Sequence, residues 1–432
     1  MGHYLNMLWL SALLGILAGS ISGLIPGVGN FVIMLLLYPF LGSLSINELI
    51  IFYSSMATIS QYVGSVPATI YGIPGESSSY PTVLESSKLS TVKQVSNAIS
   101  GSAFGSFVGG VVVLLVCYLL VDYLELLKYM YSTKLLTFLL ILACVAICLS
   151  SGDKLLTSVL LLVAGFCLAS IGYNSHYSTS ILTFNNMYLY AGLPFEVVLI
   201  SLFAIPQILQ NWNTKSKISN LAYNIGTIYI INPIYTGFYT VVGFICGLVP
   251  GVTTILSSIA AYNISSYFTK DPVKRIVASE TANNAGAFSL LLPLLLFGVP
   301  IIASEALLLN LIEQKGFVIS SFDLRGLVTL LSINLLLVNV IGLFIAWPLS
   351  KYVKYFYSLN LNIVFTIFIL LLIAVVMYNG YLNYSLSYNI IVFTILLPIG
   401  YVLRKVNTLP LIFAFIVNDK LIDNLLRLPH II

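Results

Sequence analysis

The stretch Gly19-Ser-Ile-Ser-Gly23-Leu-Ile-Pro26-Gly27-Val28 returns, 224 residues further along, as Gly243-Phe-Ile-Cys-Gly247-Leu-Val-Pro250-Gly251-Val252. Further matches follow in the same order. Pro67 and Tyr71-Gly72-Ile73-Pro74 pair with Pro293 and Phe297-Gly298-Val299-Pro300 at an offset of 226. Gly152 pairs with Gly380, and Ile171-Gly172-Tyr173 with Ile399-Gly400-Tyr401, at an offset of 228. Chance matches do not keep their order with so little drift, so the chain reads as a duplication. The expected units are residues 1–215 and 225–432, joined through the polar stretch Asn211 to Asn220. If each unit crosses the membrane an odd number of times, the second enters upside down, and an inverted pair is the expectation.

The membrane reading comes from composition. Of 432 residues, 59% are hydrophobic and 7% charged, whereas a soluble domain carries about 25% charged residues. Apolar runs of about 20 residues, the length that crosses the hydrocarbon core, recur throughout. The expected fold is all-α: a polytopic helical membrane protein with two homologous repeats and broken helices or re-entrant hairpins. The net charge of +4 comes from Lys and Arg spread thinly through the loops, a pattern that sets topology and excludes a nucleic-acid footprint. The first apolar run, from about Tyr4, has no basic n-region or clear cleavage site and reads as an uncleaved helix.

Enzyme chemistry finds little support. The five cysteines lie within apolar runs and the three histidines are scattered. There is no P-loop, nucleophile elbow or dinucleotide fingerprint. Glu280 and Glu305 are carboxylates in apolar surroundings, but no nucleophile–base pair or metal-ligand set accompanies them. No catalytic residue, metal site or cofactor is expected.

Proline and glycine interrupt the apolar runs at matching places. Pro26-Gly27 and Pro250-Gly251 should each end a helix. Ser65–Gly75 and Leu290–Pro300 are expected to form half-length helices of about ten residues, roughly 15 Å long, ending inside the bilayer. Backbone groups freed there need protein, water or a solute as partner, and paired interruptions point to a transport site. Polar residues gather nearby: Gln61, Tyr62, Ser65 and Thr69 in the first unit, Glu280, Asn283 and Asn284 in the second. Amides are costly in hydrocarbon unless they face a partner or a cavity. Helix–helix hydrogen bonding is the plain alternative for the Asn pair, as kinked helices without a ligand are for the prolines. Gly101, Gly105 and Gly109 form a small-residue stripe for close helix packing.

These residues resemble the large membrane subunit of the tripartite tricarboxylate transporters, the TctA-like permeases, over nearly the full length. The resemblance is carried by the Gly23 to Gly27 turn, and by Tyr62-Val63-Gly64-Ser65 leading to Ile73-Pro74-Gly75. In the second unit it is carried by Pro250-Gly251, Glu280-Thr-Ala-Asn283-Asn284-Ala285, Pro293 and Gly298-Val299-Pro300. It implies uptake of a small organic anion, a di- or tricarboxylate, driven by an Na⁺ or H⁺ gradient through an elevator-like alternating-access movement. A periplasmic solute-binding protein and a small membrane subunit would be partners, in the inner membrane of a prokaryote; homo-oligomerisation stays open. A passive channel or exporter of the same fold is the rival reading, and a membrane-embedded enzyme a distant one. The expected binding set is Pro26, Gly27, Gln61, Tyr62, Gly64, Ser65, Thr69, Pro74, Gly75, Pro250, Gly251, Glu280, Asn283, Asn284, Pro293, Gly298 and Pro300, with a possible Na⁺ near Asn283 and Asn284. Val63 and Ile301 stand where the family has glycine, which suggests a tighter pocket.

Overall fold

A computed structural model describes residues 2–123, 132–174, 179–212, 228–248, 253–316 and 323–427. Pro250 and Gly251, and most of the expected join between the units, lie outside the described residues.

The first helices are α1 (Gly2–Leu24), α2 (Asn30–Leu41), α3 (Ile46–Tyr71), α4 (Tyr80–Ser86), α5 (Val92–Leu119), α6 (Thr133–Ser150), α7 (Leu155–Ala169) and α8 (Phe195–Gln210). A second series follows: α9 (Pro233–Leu248), α10 (Thr254–Phe268), α11 (Pro272–Phe297), α12 (Ala303–Glu313), α13 (Leu324–Ala346), α14 (Leu361–Leu382), α15 (Leu386–Leu403) and α16 (Leu409–Arg427). In both series the third helix is 26 residues long and is followed by a short fourth helix and a long fifth. The first carries an addition between α7 and α8, an antiparallel ribbon that pairs Gly172–Asn174 with Thr179–Ile181.

Packing repeats as well. α1 lies along α3, and α9 along α11. Between the series, α3 packs on α13 and α5 on α11; α7 packs on α16 and α8 on α15. Each contact has a counterpart with the series exchanged, the pattern a two-fold relation produces. Glycines set the closest approaches. A Cβ on Gly19 would meet the Met56 carbonyl, and one on Gly243 would meet the Ala282 carbonyl. Gly101, Gly105 and Gly109 let α5 close on Val277 and Thr281 of α11, as the small-residue stripe predicts.

Six described helices are long and apolar enough to cross a membrane: Asn6–Leu24 of α1, and α3, α5, α13, α14 and α15. They divide by surroundings. α14 and α15 leave most of their leucines and isoleucines exposed, including Ile363, Ile367, Leu370, Ile391 and Ile395; such a surface suits lipid rather than water. α3 is almost wholly covered by protein. α11, with Glu280, Asn283 and Asn284, is buried along nearly its whole length. The protein is therefore a multi-pass helical membrane protein with two polar helices at its centre.

One expectation fails here. Ser65–Gly75 and Leu290–Pro300 are not separate half-helices. They are the ends of α3 and α11, each 26 residues long, with Pro67 and Pro293 inside. The polar residues upstream, such as Ser54, Ser55, Ser60 and Gln61, do not break α3 because protein rather than lipid surrounds them. The break comes later and identically: Gly72 and Gly298 both adopt φ 63°, a left-handed cap open to glycine. Their amides bond back to Pro67 in α3, and to Pro293 and Leu294 in α11.

Candidate functional site

After Gly72 the chain turns back along α3 and places a short run of hydroxyls against α11. Gly75 makes this possible. A Cβ there would overlap the Gly23 carbonyl and crowd Gly64, so α1, α3 and the returning chain meet at three glycines. The return brings Ser78 to Gln61, whose Oε1 accepts its hydroxyl at 2.9 Å. It also brings Ser79 beside Glu280, and lets Thr82 donate to the Glu280 carboxylate.

Glu280 is fully buried, and among the described residues it forms no ion pair. Its other oxygen accepts from the Asn283 amide at 3.3 Å. The Asn283 Oδ1 is buried with no hydrogen-bond partner, as is the Ser257 hydroxyl on α10. Asn283 lies on the α11 face between Ser279, which bonds Ser258 at 2.6 Å, and Gly286, where a Cβ would press on Ser257. Hence α10 lies over the stretch of α11 that carries the free oxygen.

The polar seam continues into the first series. Ser22 donates to Asn30 at 2.6 Å, and Asn30 donates to Ser60 at 2.8 Å. Glu76 lies by Ser60 and Gly64, and its Oε1 is buried without a partner. The helix starts facing this region lack side-chain caps: Gly29 before α2 and Thr253 before α10. Uncapped N-termini leave amides and a partial positive charge available to an anion.

The expected site residues divide into groups. Gln61, Glu280 and Asn283 come together, joined by the returning chain. Gly64 and Gly75 shape that return. Ser65 and Thr69 spend their hydroxyls on the carbonyls of Tyr62 and Ser65 within α3. Tyr62 turns away to donate to Asn339 of α13 at 2.9 Å. Asn284 is tied to Ser106 at 2.7 Å and to the Glu280 carbonyl. Gly27 lies against Gln207 of α8 and Asn211 just after it, with Pro26 preceding it in the turn after α1. The carbonyl of Gly298 accepts from Lys420 at 2.9 Å; it and Pro300 belong to the α12 side, as Pro74 belongs to the Gly72 turn. Sequence reasoning missed Ser78, Ser79, Thr82 and Ser257, which carry no periodic signal. It also missed Glu76, an acid directly after a Pro-Gly pair.

At the rim of this region, Glu85 of α4 accepts from Tyr262, Lys88 and Arg275 at 2.9, 2.7 and 3.1 Å. Burial works to raise its pKa, but hydrogen bonds from Lys88, Tyr262 and Arg275 outweigh it and hold the carboxyl below its ordinary value.

A lipid-facing shell around two buried polar helices, with the Glu280 carboxylate forming no ion pair among the described residues, defines a polytopic membrane protein with a polar interior. The chain belongs to the tripartite tricarboxylate transporter TctA family, whose sequence profile matches residues 9–413. The chain is also similar to two uncharacterised proteins. One, described as a 52.8 kDa protein in the TAR-I ttuC' 3' region of Agrobacterium vitis, is 27% identical over 72% of this chain; the match spans 64% of that protein's own length. The other, from Methanocaldococcus jannaschii, is 23% identical over 94% of this chain and 95% of its own. No solved structure matches.

Proposed function

We propose that this protein is the permease subunit of a secondary uptake system for a small di- or tricarboxylate, working by alternating access. The observation that carries the reading is the buried seam from Asn30 through Gln61 and Ser78 to Glu280 and Asn283. Such a polar path through a membrane protein is costly unless a solute or ion uses it. No Lys or Arg stands in the seam, so the anion is held by the uncapped amides of α2 and α10 and by neutral side chains. A co-transported Na⁺ or H⁺ offsets its charge. The units 1–215 and 225–432 act as an inverted pair; the exchanged helix contacts support a two-fold pairing of the two series, and movement of one against the other opens the seam to each side in turn.

The family supplies the substrate class and the partners. A solute-binding protein delivers the carboxylate and a small membrane subunit sits beside this one, in the cytoplasmic membrane of a prokaryotic cell. The test is uptake of labelled di- and tricarboxylates by proteoliposomes, with the partner proteins added, with and without an imposed ion gradient. Accumulation that requires the gradient is expected. Equilibration indifferent to the gradient would make the protein a passive channel.

A further inference from the structure

We propose that Glu280 and Asn283 hold a sodium ion, with Ser257, Ser79 and Thr82 completing an all-oxygen shell. The inference rests on the transport reading and names the ion it uses.

Three observations carry it. First, the hydrogen bonds fit an ionised Glu280: one oxygen accepts from Thr82 and the other from the Asn283 amide. A buried negative charge in that state needs a counter-charge, and no described residue provides one. Second, Asn283 Oδ1 is fully buried and accepts nothing. Turning the amide over offers no relief, because Oδ1 would then face the carboxylate. Third, the Ser257 hydroxyl on the covering helix is buried and unpartnered as well. A cation satisfies all three at once, whereas a proton on Glu280 reaches Oδ1 only if the amide turns over, which leaves the amide nitrogen unpaired in the place Oδ1 held.

The donors select the ion. They are hard oxygens with a single carboxylate, which matches one positive charge; calcium sites gather more carboxylate, and transition metals take nitrogen or sulfur. Among the described residues no three His, Cys, Asp or Glu stand together. Asn284 is left outside the shell because its amide nitrogen donates to Ser106 and so turns the side chain toward α5, away from Ser257 on α10.

The test is binding of radioactive sodium to the full-length protein in detergent, without substrate, alongside the unfolding midpoint in NaCl against choline chloride at equal ionic strength. Saturable binding and a midpoint raised by sodium are expected. Glu280→Gln and Asn283→Ala should abolish both, and Ser257→Ala should weaken binding severalfold. Sodium binding that survives Glu280→Gln and Asn283→Ala in folded protein would overturn the proposal. So would wild type that binds no sodium but releases a proton. Because binding is read without transport, sodium bound by a protein that moves no carboxylate would sink the transport reading and leave the site standing.

Discussion

The Tyr262 hydroxyl donates to the Glu85 carboxylate at 2.9 Å, tying α10 of the second series to α4 of the first. Tyr38, 224 positions earlier, does the reciprocal work. It donates to Asn310 of α12 at 2.6 Å and accepts from Gln314 at 2.9 Å. Backbone contacts accompany both: Arg275 reaches the Ser266 carbonyl, and Lys315 reaches the Gly42 carbonyl. The two latches occupy equivalent places but differ in chemistry. One is charged, through Glu85, Arg275 and Lys88. In the other, Tyr38 bonds the uncharged side chains of Asn310 and Gln314, and Asn310 lines a cavity of about 350 Å³ together with Ser170 and Asn418.

If the units rock against each other, each latch restrains one opening. A hydrogen bond contributes about 0.5–1.5 kcal/mol between neutral groups and about 1.5–3 kcal/mol to a charged one, so the shift between two states is severalfold at Tyr38 and roughly tenfold or more at Tyr262. Tyr262→Phe and Tyr38→Phe should therefore bias the protein in opposite directions. The check is thiol labelling of cysteines placed beside each latch, from each side of oriented vesicles. Equal effects of both substitutions on both sides would defeat the idea.

Acid should act on the charged latch through Glu85. The Glu85 carboxyl is held below its ordinary value by Lys88, Tyr262 and Arg275. A depressed carboxylate contributes stability that is full above the unfolded value of about 4.3 and is lost as pH falls through the folded one. Thermal stability in detergent should fall across that acid window in wild type, and Glu85→Gln should flatten this part of the curve. Arg275→Gln should move the loss to higher pH.

The glycine meeting point should tolerate nothing larger. Gly75→Ala sets a methyl group against the Gly23 carbonyl and the Gly64 backbone. Backbone cannot rotate aside as a side chain can, so a loss of about 1–3 kcal/mol or more is expected. Gly29→Ala, where a Cβ meets nothing within 4 Å, is the matched control. Equal folded yields for both, by size-exclusion profile and melting point, would show that the approach is looser than it looks.

The sequence carries some of this and hides the rest. Gly72 and Gly298 were legible because Gly followed closely by Pro punctuates a helix whatever surrounds it. The starts of α3 and α11 were not. Ser54, Ser60 and Gln61 resemble interruptions only when their surroundings are taken to be lipid, and burial by other helices reverses that reading. Glu280 and Asn283 announced themselves as costly groups in an apolar chain. Ser79 and Thr82 could not, because short hydroxyls are common in membrane helices and often bond to their own backbone. Tyr62 looked like part of the site from its neighbours in sequence, but on α3 its side chain points to α13.

The two adjacent asparagines should separate by mechanism. Asn283 offers a buried oxygen with no hydrogen-bond partner; the amide nitrogen of Asn284 bridges Ser106 of α5 and the backbone of α11. Asn283→Leu removes the free oxygen and the amide that donates to Glu280, but breaks no contact between helices. Uptake by proteoliposomes should fall at least tenfold while folded yield stays near wild type. Asn284→Leu breaks the tie between α5 and α11 and leaves the Ser106 hydroxyl without this partner, a burial cost of about 1–3 kcal/mol. Its main effect should be a lower melting point and yield, with residual uptake still dependent on sodium. A sodium titration of uptake distinguishes the two: the half-saturating concentration should rise for Asn283→Asp or Asn283→Ser, and stay unchanged for Asn284→Ser. If both positions shift it equally, the separation of roles is wrong and the pair acts as one unit.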